Sequence, residues 1–347
     1  MRYPDFLKPG GTIGFAAPSF GCNIEPYRSG FDNAEKKFLE KGYFLKEGPN
    51  SRKGEGIGIS NTPQKCGQEL NDFFKSADTD CLISCGGGEL MCEILDFVDF
   101  EAIKENPAKW YMGYSDNTNL TFLLPTLCDT AAVYGPCAPA FGMEPWHTSI
   151  DDAFQVLTGE KLILRGYDRW EKESAKDEEH PLVPYQLTEP VVRKCYRGGT
   201  LLTDNEPVRF SGRLLGGCLD ILCTLAGTVY DRVSDFAMRY KEDGIVWFME
   251  SCDLNVFDIR RALWQLEHTG WFKHVKGFIF GRPLCFGQEM MGLDTYRAVL
   301  GILEKYQVPI VMDADLGHLP PMMPLITGSM ADIEADAGGM CVKMRLE

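Results

Sequence analysis

The feature that most narrows the fold is an alternation, through the first third of the chain, of short apolar runs with stretches of helical period. Gly11-Thr12-Ile13-Gly14-Phe15-Ala16-Ala17-Pro18 reads as a strand running into a Pro18-Ser19 loop. Pro26 to Lys41 carries Tyr27, Phe31, Ala34 and Phe38 at helical spacing, with the proline at the start, where a helix tolerates it. Gln64 to Lys75 places Cys66, Leu70, Phe73 and Phe74 on one face, and Cys81 to Cys85 is the next strand, opening into Gly86-Gly87-Gly88. A helix over Glu89 to Phe97, a strand at Trp110 and a strand ending Ala132-Val133-Tyr134-Gly135-Pro136 continue the series. Strands joined by helices of this length imply a parallel sheet with helices on both faces. Ligands on such a sheet bind beyond the carboxyl ends of the strands, which is where the triple glycine and Ser115 fall.

The stretch Trp110-Tyr111-Met112-Gly113-Tyr114-Ser115-Asp116-Asn117-Thr118 organises that end of the sheet. Residues 110 to 114 read as a short buried strand, and Leu120, Leu123, Leu124 and Leu127 repeat as one face of a helix. Asp116, Asn117 and Thr118 are good N-cap types. A serine at such a junction can stand on a sharp turn with unpaired backbone N–H groups beside it, the surroundings an acyl-transfer nucleophile needs. Ser115 is therefore a candidate nucleophile. The second glycine of G-x-S-x-G is missing, and taken alone the stretch favours the plainer reading, a serine beside a helix cap.

Length and charge exclude several classes. A chain of 347 residues favours two domains. The N-terminus lacks the apolar core of a signal peptide, and no stretch approaches the roughly 18 to 20 apolar residues of a membrane span. Thirteen cysteines, an odd number with no C-x-x-C pair, argue against a zinc ribbon or a disulfide framework and for free thiols in a reducing cytosol. The net charge of −15 argues against a nucleic-acid partner, which needs a basic footprint.

The domains are expected at 1–164, 165–205 and 206–347. The middle segment is charged and aperiodic from Arg169 to Pro181 and reads as a linker or loop over the site. Beyond it, a strand Ile245 to Met249 ends at Glu250. Helix Asp258 to His268, strand Val275 to Phe280, helix Asp294 to Tyr306 and strand Val308 to Met312 follow. Ile333 to Leu346 alternates like antiparallel strands about Gly338-Gly339, so the last domain mixes α and β structure.

A serine nucleophile needs a base, and the base an orienter. Of the five histidines, His180 sits in the charged linker, His147 follows Trp146, and His268 and His274 flank a helix end. His318, in Asp313-Ala314-Asp315-Leu316-Gly317-His318, lies just past a strand, where catalytic groups gather. Glu250 closes an apolar strand and must find donors there; a histidine N–H is one such donor, and a helix-entry acid is the alternative. Gly86-Gly87-Gly88 departs from the dinucleotide fingerprint, which needs glycine where Met91 stands, and no Gly-Lys-Ser/Thr follows. Beside Ser115, glycines whose N–H groups form an oxyanion hole are the better reading.

These residues carry a resemblance to a known family. Lys8 to Ser19 is similar to the opening "LKPGDTIGIVAPSS" of the LD-carboxypeptidases, a family of serine peptidases, and Gly113-Tyr114-Ser115-Asp116 resembles their nucleophile motif. Gly212 to Leu219, with Gly227-Thr228, resembles "GRLIGGNL…GT"; Phe248-Met249-Glu250 and Gly317-His318 resemble "FLE" and "GH". The resemblance implies a triad of Ser115, Glu250 and His318, with no metal and no cofactor. It implies an oxyanion hole of the Asp116 N–H and one from the glycine loop, assigned to Gly87 with Gly86 possible. It further implies a flavodoxin-like N-terminal domain, a mixed C-terminal domain containing β-barrel-like structure, a homodimer, and nucleophile and base drawn from different domains.

Cys218 stands where the family has asparagine, Cys85 to Leu90 replaces "GRGGYG", and Glu250-Ser251-Cys252-Asp253 replaces "LEDVGE". These departures leave two substrates. The first is a murein tetrapeptide losing its terminal D-alanine in cytoplasmic cell-wall recycling. The second, suggested by Tyr134-Gly135-Pro136 and by a linker tryptophan that could stack on a base, Trp170, is the acylated aminoacyl-nucleotide cleaved by the microcin-immunity branch. A non-catalytic small-molecule binder is the rival from another class.

Overall fold

The structure, a computed structural model, describes residues 1–203 and 206–347. The chain divides into two compact units, Met1–Lys161 with Glu173–Gln186, and Leu162–Lys172 with Leu187–Glu347.

The first unit contains β1 (Thr12–Ala16), α1 (Tyr27–Glu40), β2 (Phe44–Glu47), α2 (Pro63–Lys75), β3 (Cys81–Ser84), α3 (Phe100–Glu105), β4 (Trp110–Gly113), α4 (Thr118–Thr121), α5 (Leu123–Cys128), β5 (Ala132–Tyr134) and α6 (Thr148–Thr158). Its strands are parallel in the order β2-β1-β3-β4-β5, the flavodoxin-like order. Every residue of β3, β4 and β5 is buried, as expected of strands covered on both faces. Helix α2 starts where its sequence says it should: the Thr62 side chain accepts the Lys65 N–H and Pro63 occupies the first turn.

Two local expectations change. The single helix read after Ser115 is two short ones. Pro125 has no N–H to donate and its ring crowds the carbonyl four residues back, at Thr121, where α4 stops. Leu120, Leu123 and Leu124 are still buried, with Leu127 half-buried. The helix read over Glu89 to Phe97 is a 3-10 turn series, Met91–Phe97, and nothing in its sequence explains the tighter winding.

The second unit holds β6 (Ile163–Arg165), β7 (Arg169–Trp170), β8 (Glu189–Pro190), β9 (Lys194–Arg197), β10 (Thr200–Leu201), β11 (Val208–Cys218), α7 (Leu219–Leu225), α8 (Val233–Arg239), β12 (Ile245–Glu250), α9 (Val256–His268), β13 (Val275–Gly281), β14 (Glu289–Met290), β15 (Leu293–Asp294), α10 (Thr295–Leu303), β16 (Pro309–Ala314), β17 (Leu325–Thr327), β18 (Met330–Ala335) and β19 (Met340–Arg345). The barrel-like part of the expectation takes the form of one mixed nine-stranded sheet, β10-β9-β16-β13-β12-β11-β18-β19-β6. Its centre, β16-β13-β12-β11, is parallel, and β18 and β19 form the tail hairpin with Ala335 opposite Met340.

The segment expected as a loop, 165–205, carries short strands, and its charged part, Glu173–Gln186, packs with the first unit. Its last two positions, 204 and 205, lie outside the described residues. No described helix is long and apolar enough to cross a membrane.

Candidate active site

The serine end is built from backbone geometry. Strand β4 ends at Gly113, Tyr114 is extended, and Ser115 takes φ 63°, the left-handed region, before a 3-10 turn over Ser115–Asn117. A side-chain-bearing residue held there costs about 1–3 kcal/mol and persists only where the surroundings over-determine it. They do here. The Ser115 N–H donates to the Tyr134 hydroxyl at 3.3 Å. Asn117 donates from Nδ2 to the carbonyls of Gly86 (2.7 Å) and Tyr114 (3.1 Å), and its Oδ1 accepts the Tyr111 hydroxyl.

The Gly86 carbonyl also accepts the Ser84 hydroxyl at 3.0 Å. Carbonyl and N–H point opposite ways across a trans peptide, so tying back the Gly86 carbonyl turns the Gly87 N–H away from Asn117 and Ser84. Gly87 itself lies against the serine: a Cβ added there would stand 3.2 Å from Ser115 Oγ. Its carbonyl accepts the Phe20 N–H at 2.8 Å, which binds the glycine loop to the loop after β1.

Asp116 ties the same loops from below. Its buried carboxylate accepts the Ser19 hydroxyl (2.5 Å), the Met91 N–H (2.9 Å) and Asn119 Nδ2 (3.1 Å). Burial pushes its pKa up to about 6 against the opposing pull of those donors. A second buried carboxylate, Glu69, accepts the N–H groups of Ala17 (2.8 Å) and Asn50 (2.9 Å), and burial pushes it up to about 7.

The histidine end is built from charge. Glu250 closes β12, fully within the unit, and His318 follows β16. His318 Nδ1 and Glu250 Oε2 are 2.8 Å apart. Gly317, at φ 93°, permits this approach, because a Cβ there would fall 2.4 Å from Glu250 Oε2. Burial works to lower the His318 pKa, but the Glu250 charge and the hydrogen bonds of the imidazole to Cys252 and Glu250 outweigh it and hold the imidazole well above the usual histidine range.

The His318 loop is anchored by Asp315, which accepts from Arg193 (2.5 Å), Arg282 (2.9 Å) and the Tyr167 N–H (2.9 Å). All three charged side chains of this cluster are buried.

Three of the four remaining histidines have structural places. His147 caps α6 through the Ser149 N–H, His180 pairs with Asp177 at the surface, and His268 stacks on Trp264. Trp170 is buried in the second unit. Its indole N–H donates to the Pro190 carbonyl at 3.1 Å and its ring lies 5.1 Å from Phe286 and 5.2 Å from the Arg282 guanidinium. Cys218, paired in register with Glu250, is a buried thiol that burial holds well above its ordinary pKa. Among the described residues no cysteine forms a disulfide. Among the described residues no cluster of histidine, cysteine, aspartate and glutamate could hold a metal ion.

A serine on a left-handed turn at the end of a parallel strand, backed by a glycine loop, is the layout of a serine hydrolase of α/β type. The chain belongs to the LD-carboxypeptidase family: residues 13–135 match the LD-carboxypeptidase N-terminal domain and residues 211–333 the LD-carboxypeptidase C-terminal domain. It is thus a peptidase of that family. It is 27% identical to the microcin C7 self-immunity protein of Escherichia coli over 337 residues, covering 95% of this chain and 92% of that protein. Among solved structures it is similar to a protein from Bacillus anthracis described as like the microcin self-immunity protein (TM-score 0.80, 22% identity, 99% and 100% covered). It is also similar to the muramoyltetrapeptide carboxypeptidase of Oxalobacter formigenes (TM-score 0.70, 19% identity, 96% and 98% covered).

Ser115, Gly86, Gly87 and Asp116 thus come together in the first unit, and Glu250, His318 and Trp170 belong to the second. Sequence reasoning missed Asn117, Tyr111, Tyr134 and Ser19, which set the serine turn, and Asp315 with its two arginines, which sets the histidine loop. Asn117 sat in view as a cap type; its work on the glycine-loop carbonyl spans 31 positions and leaves no local signal.

Proposed function

We propose that Ser115, His318 and Glu250 act as one triad of a serine carboxypeptidase, the first unit supplying the nucleophile and the second the base. The His318–Glu250 bond of 2.8 Å carries this reading, because it fixes the imidazole tautomer that leaves Nε2 to act on a serine. In acylation Ser115 Oγ attacks the amide carbon while His318 takes its proton. The oxyanion is held by the N–H groups of Gly87 and Asp116, and His318 then protonates the leaving amine. Water, deprotonated by the same histidine, releases the acyl group and restores the serine. Glu250 holds the imidazole tautomer and stabilises the imidazolium. Losing one oxyanion donor costs on the order of 3 kcal/mol of transition-state stabilisation.

The substrate proposed first is a murein tetrapeptide, cleaved at its terminal D-alanine by a cytosolic homodimer; thirteen cysteines with no disulfide among the described residues suit a reducing compartment. The second reading is an acylated aminoacyl-nucleotide. Its support is the greater similarity to the self-immunity protein, 27% against 22% for a Bacillus subtilis protein named a probable murein peptide carboxypeptidase. Structures of the self-immunity protein hold aspartyl sulfamoyl adenosine and glutamyl sulfamoyl guanosine. In this reading the buried Trp170 serves as a fixed aromatic wall. Turnover of L,D-linked tetrapeptide and of a peptidyl-aminoacyl sulfamoyl nucleoside, measured side by side, separates the two. Equal turnover of either substrate by the Ser115→Ala variant contradicts the mechanism, and a wild type that fails to label at Ser115 with a serine-reactive phosphonate leaves the non-catalytic binder standing.

A further inference from the structure

Strands β11 and β12 run parallel and end side by side, Cys218 opposite Glu250. The chain then leaves β11 directly into α7 and leaves β12 through a turn, residues 251–255, before α9. Asp220, in the first turn of α7, bridges the two exits. Its Oδ2 accepts the Cys252 N–H at 3.1 Å and the Cys218 thiol at 3.3 Å, and its Oδ1 accepts the Asp253 N–H at 2.8 Å.

Both oxygens of one carboxylate are therefore committed to the turn that begins at Glu250. That turn carries two groups set against the same imidazole: the Glu250 carboxylate on Nδ1, and the Cys252 thiol in hydrogen-bond contact with His318. A further tie on the same turn comes from the Leu284 N–H, which donates to the Ser251 carbonyl at 3.2 Å. With Asp220 removed, two successive N–H groups lose their acceptor and the turn is held from one side only.

We infer that Asp220 is a positioning residue of the Glu250–His318 pair: it pins the turn after β12 so that carboxylate and thiol stay seated against the imidazole. The inference rests on the proposed catalytic role of that pair, but its first effect is on the pair's geometry, which can be read without turnover. The titratable groups set against His318 are Glu250 and Cys252. Those set against Asp220 are Cys218, Cys223, Cys252 and Cys285, thiols that burial pushes up and keeps protonated at neutral pH. A change in His318 titration on altering Asp220 therefore does not come from a titrating thiol, and because both variants lose the Asp220 charge alike, the difference between Asp220→Ala and Asp220→Asn reports the Glu250 contact.

The test uses the full chain with Asp220→Ala and Asp220→Asn, the second keeping the shape and one carbonyl acceptor. Histidine NMR titration, with His318 assigned by its loss in His318→Gln, is read alongside Tm, kcat and KM. The expected result is a downward shift of the His318 midpoint in Asp220→Ala and a smaller one in Asp220→Asn. With it goes a fall in kcat on the order of 10-fold to 100-fold at near-constant KM, the usual effect of removing an orienting partner. A folded variant with lowered Tm but unchanged His318 midpoint and unchanged kcat overturns the inference, leaving Asp220 a purely structural tie. If Asp220→Ala does not fold, Asp220→Asn decides by the same readings. Were the wild type to turn over no amide substrate, the proposed function would fail while the NMR shift still decided the role of Asp220.

Discussion

The two halves of the proposed site are held by different forces. Ser115 is placed by backbone geometry: a left-handed turn, a glycine loop within van der Waals reach, and neutral hydrogen bonds, donated by Asn117 and accepted by the Tyr134 hydroxyl. His318 is placed by charge: a carboxylate on its ring and a buried Arg–Asp–Arg cluster under its loop. The nucleophile half should therefore break when shape changes, and the base half when charge changes. Buried charge is the more fragile device, because removing one partner strands the other without its counter-ion.

The largest expected effect tests neither force but the assignment itself. Ser115→Ala should lower kcat/KM on the order of 10^5-fold or more while the protein stays folded, read by steady-state kinetics on whichever amide substrate is turned over. A residual rate within 100-fold of wild type would remove Ser115 from the mechanism.

Next, Glu250→Gln changes charge and little else. It should lower kcat/KM by about 10^3-fold to 10^4-fold. It should also move the acid limb of the pH profile. A histidine base works when neutral, so activity rises with pH through the His318 pKa. Glu250 holds that pKa above the usual range, and its neutralisation should bring the limb down toward ordinary histidine behaviour near about 6.5. A limb that stays in place would mean that the charge is not what sets the base.

Gly87→Ala changes shape and no charge. The added methyl would press on Ser115 Oγ, and kcat should fall about 10^2-fold with the acid limb unmoved. A shifted limb in this variant would blur the division between the halves.

The smallest effects are on stability, and they fall in adjoining pH windows. Asp116 and Glu69 have raised pKa values, to about 6 and about 7, so the folded first unit binds their protons more tightly than the unfolded chain does. Their contribution is greatest below the ordinary carboxyl range and declines as pH rises from about 4 to about 7. His318, also raised, stabilises fully below about 6.5 and loses that contribution as pH rises through its folded value. Melting curves against pH for Asp116→Asn should flatten the stretch between about 4 and about 6 while the Glu69 contribution stays, and for Glu250→Gln the upper window alone.

Much of this division could be read from the chain itself, and unevenly. The parallel strands, the serine junction and the glycine loop are local patterns, with period, cap types and turn residues within a few positions of one another. Glu250 and His318 were legible as strand-end positions and through the family motifs around them. What could not be read is what holds them. Asp315 meets Arg193 across 122 positions and Ser19 meets Asp116 across 97, and an ion pair or a hydrogen bond at such separation imposes no periodicity. The break in the helix at Phe122 was visible as Pro125, but the leucine repeat on either side masked it. Trp170, read as a loop aromatic, is buried because the segment around it pairs as β7 with β8, Trp170 opposite Glu189, and because its ring packs on Phe286, far along the chain.

The most direct measurement is the rate of phosphonylation of Ser115 by a fluorophosphonate, followed by mass spectrometry across pH in the wild type and in His318→Ala. Activation of Ser115 by His318 predicts a single adduct on Ser115, a rate that rises with pH through a midpoint above the usual histidine range, and near-complete loss of labelling in the variant. Labelling of Ser115 at the same rate in His318→Ala, or no adduct in the wild type, would contradict it.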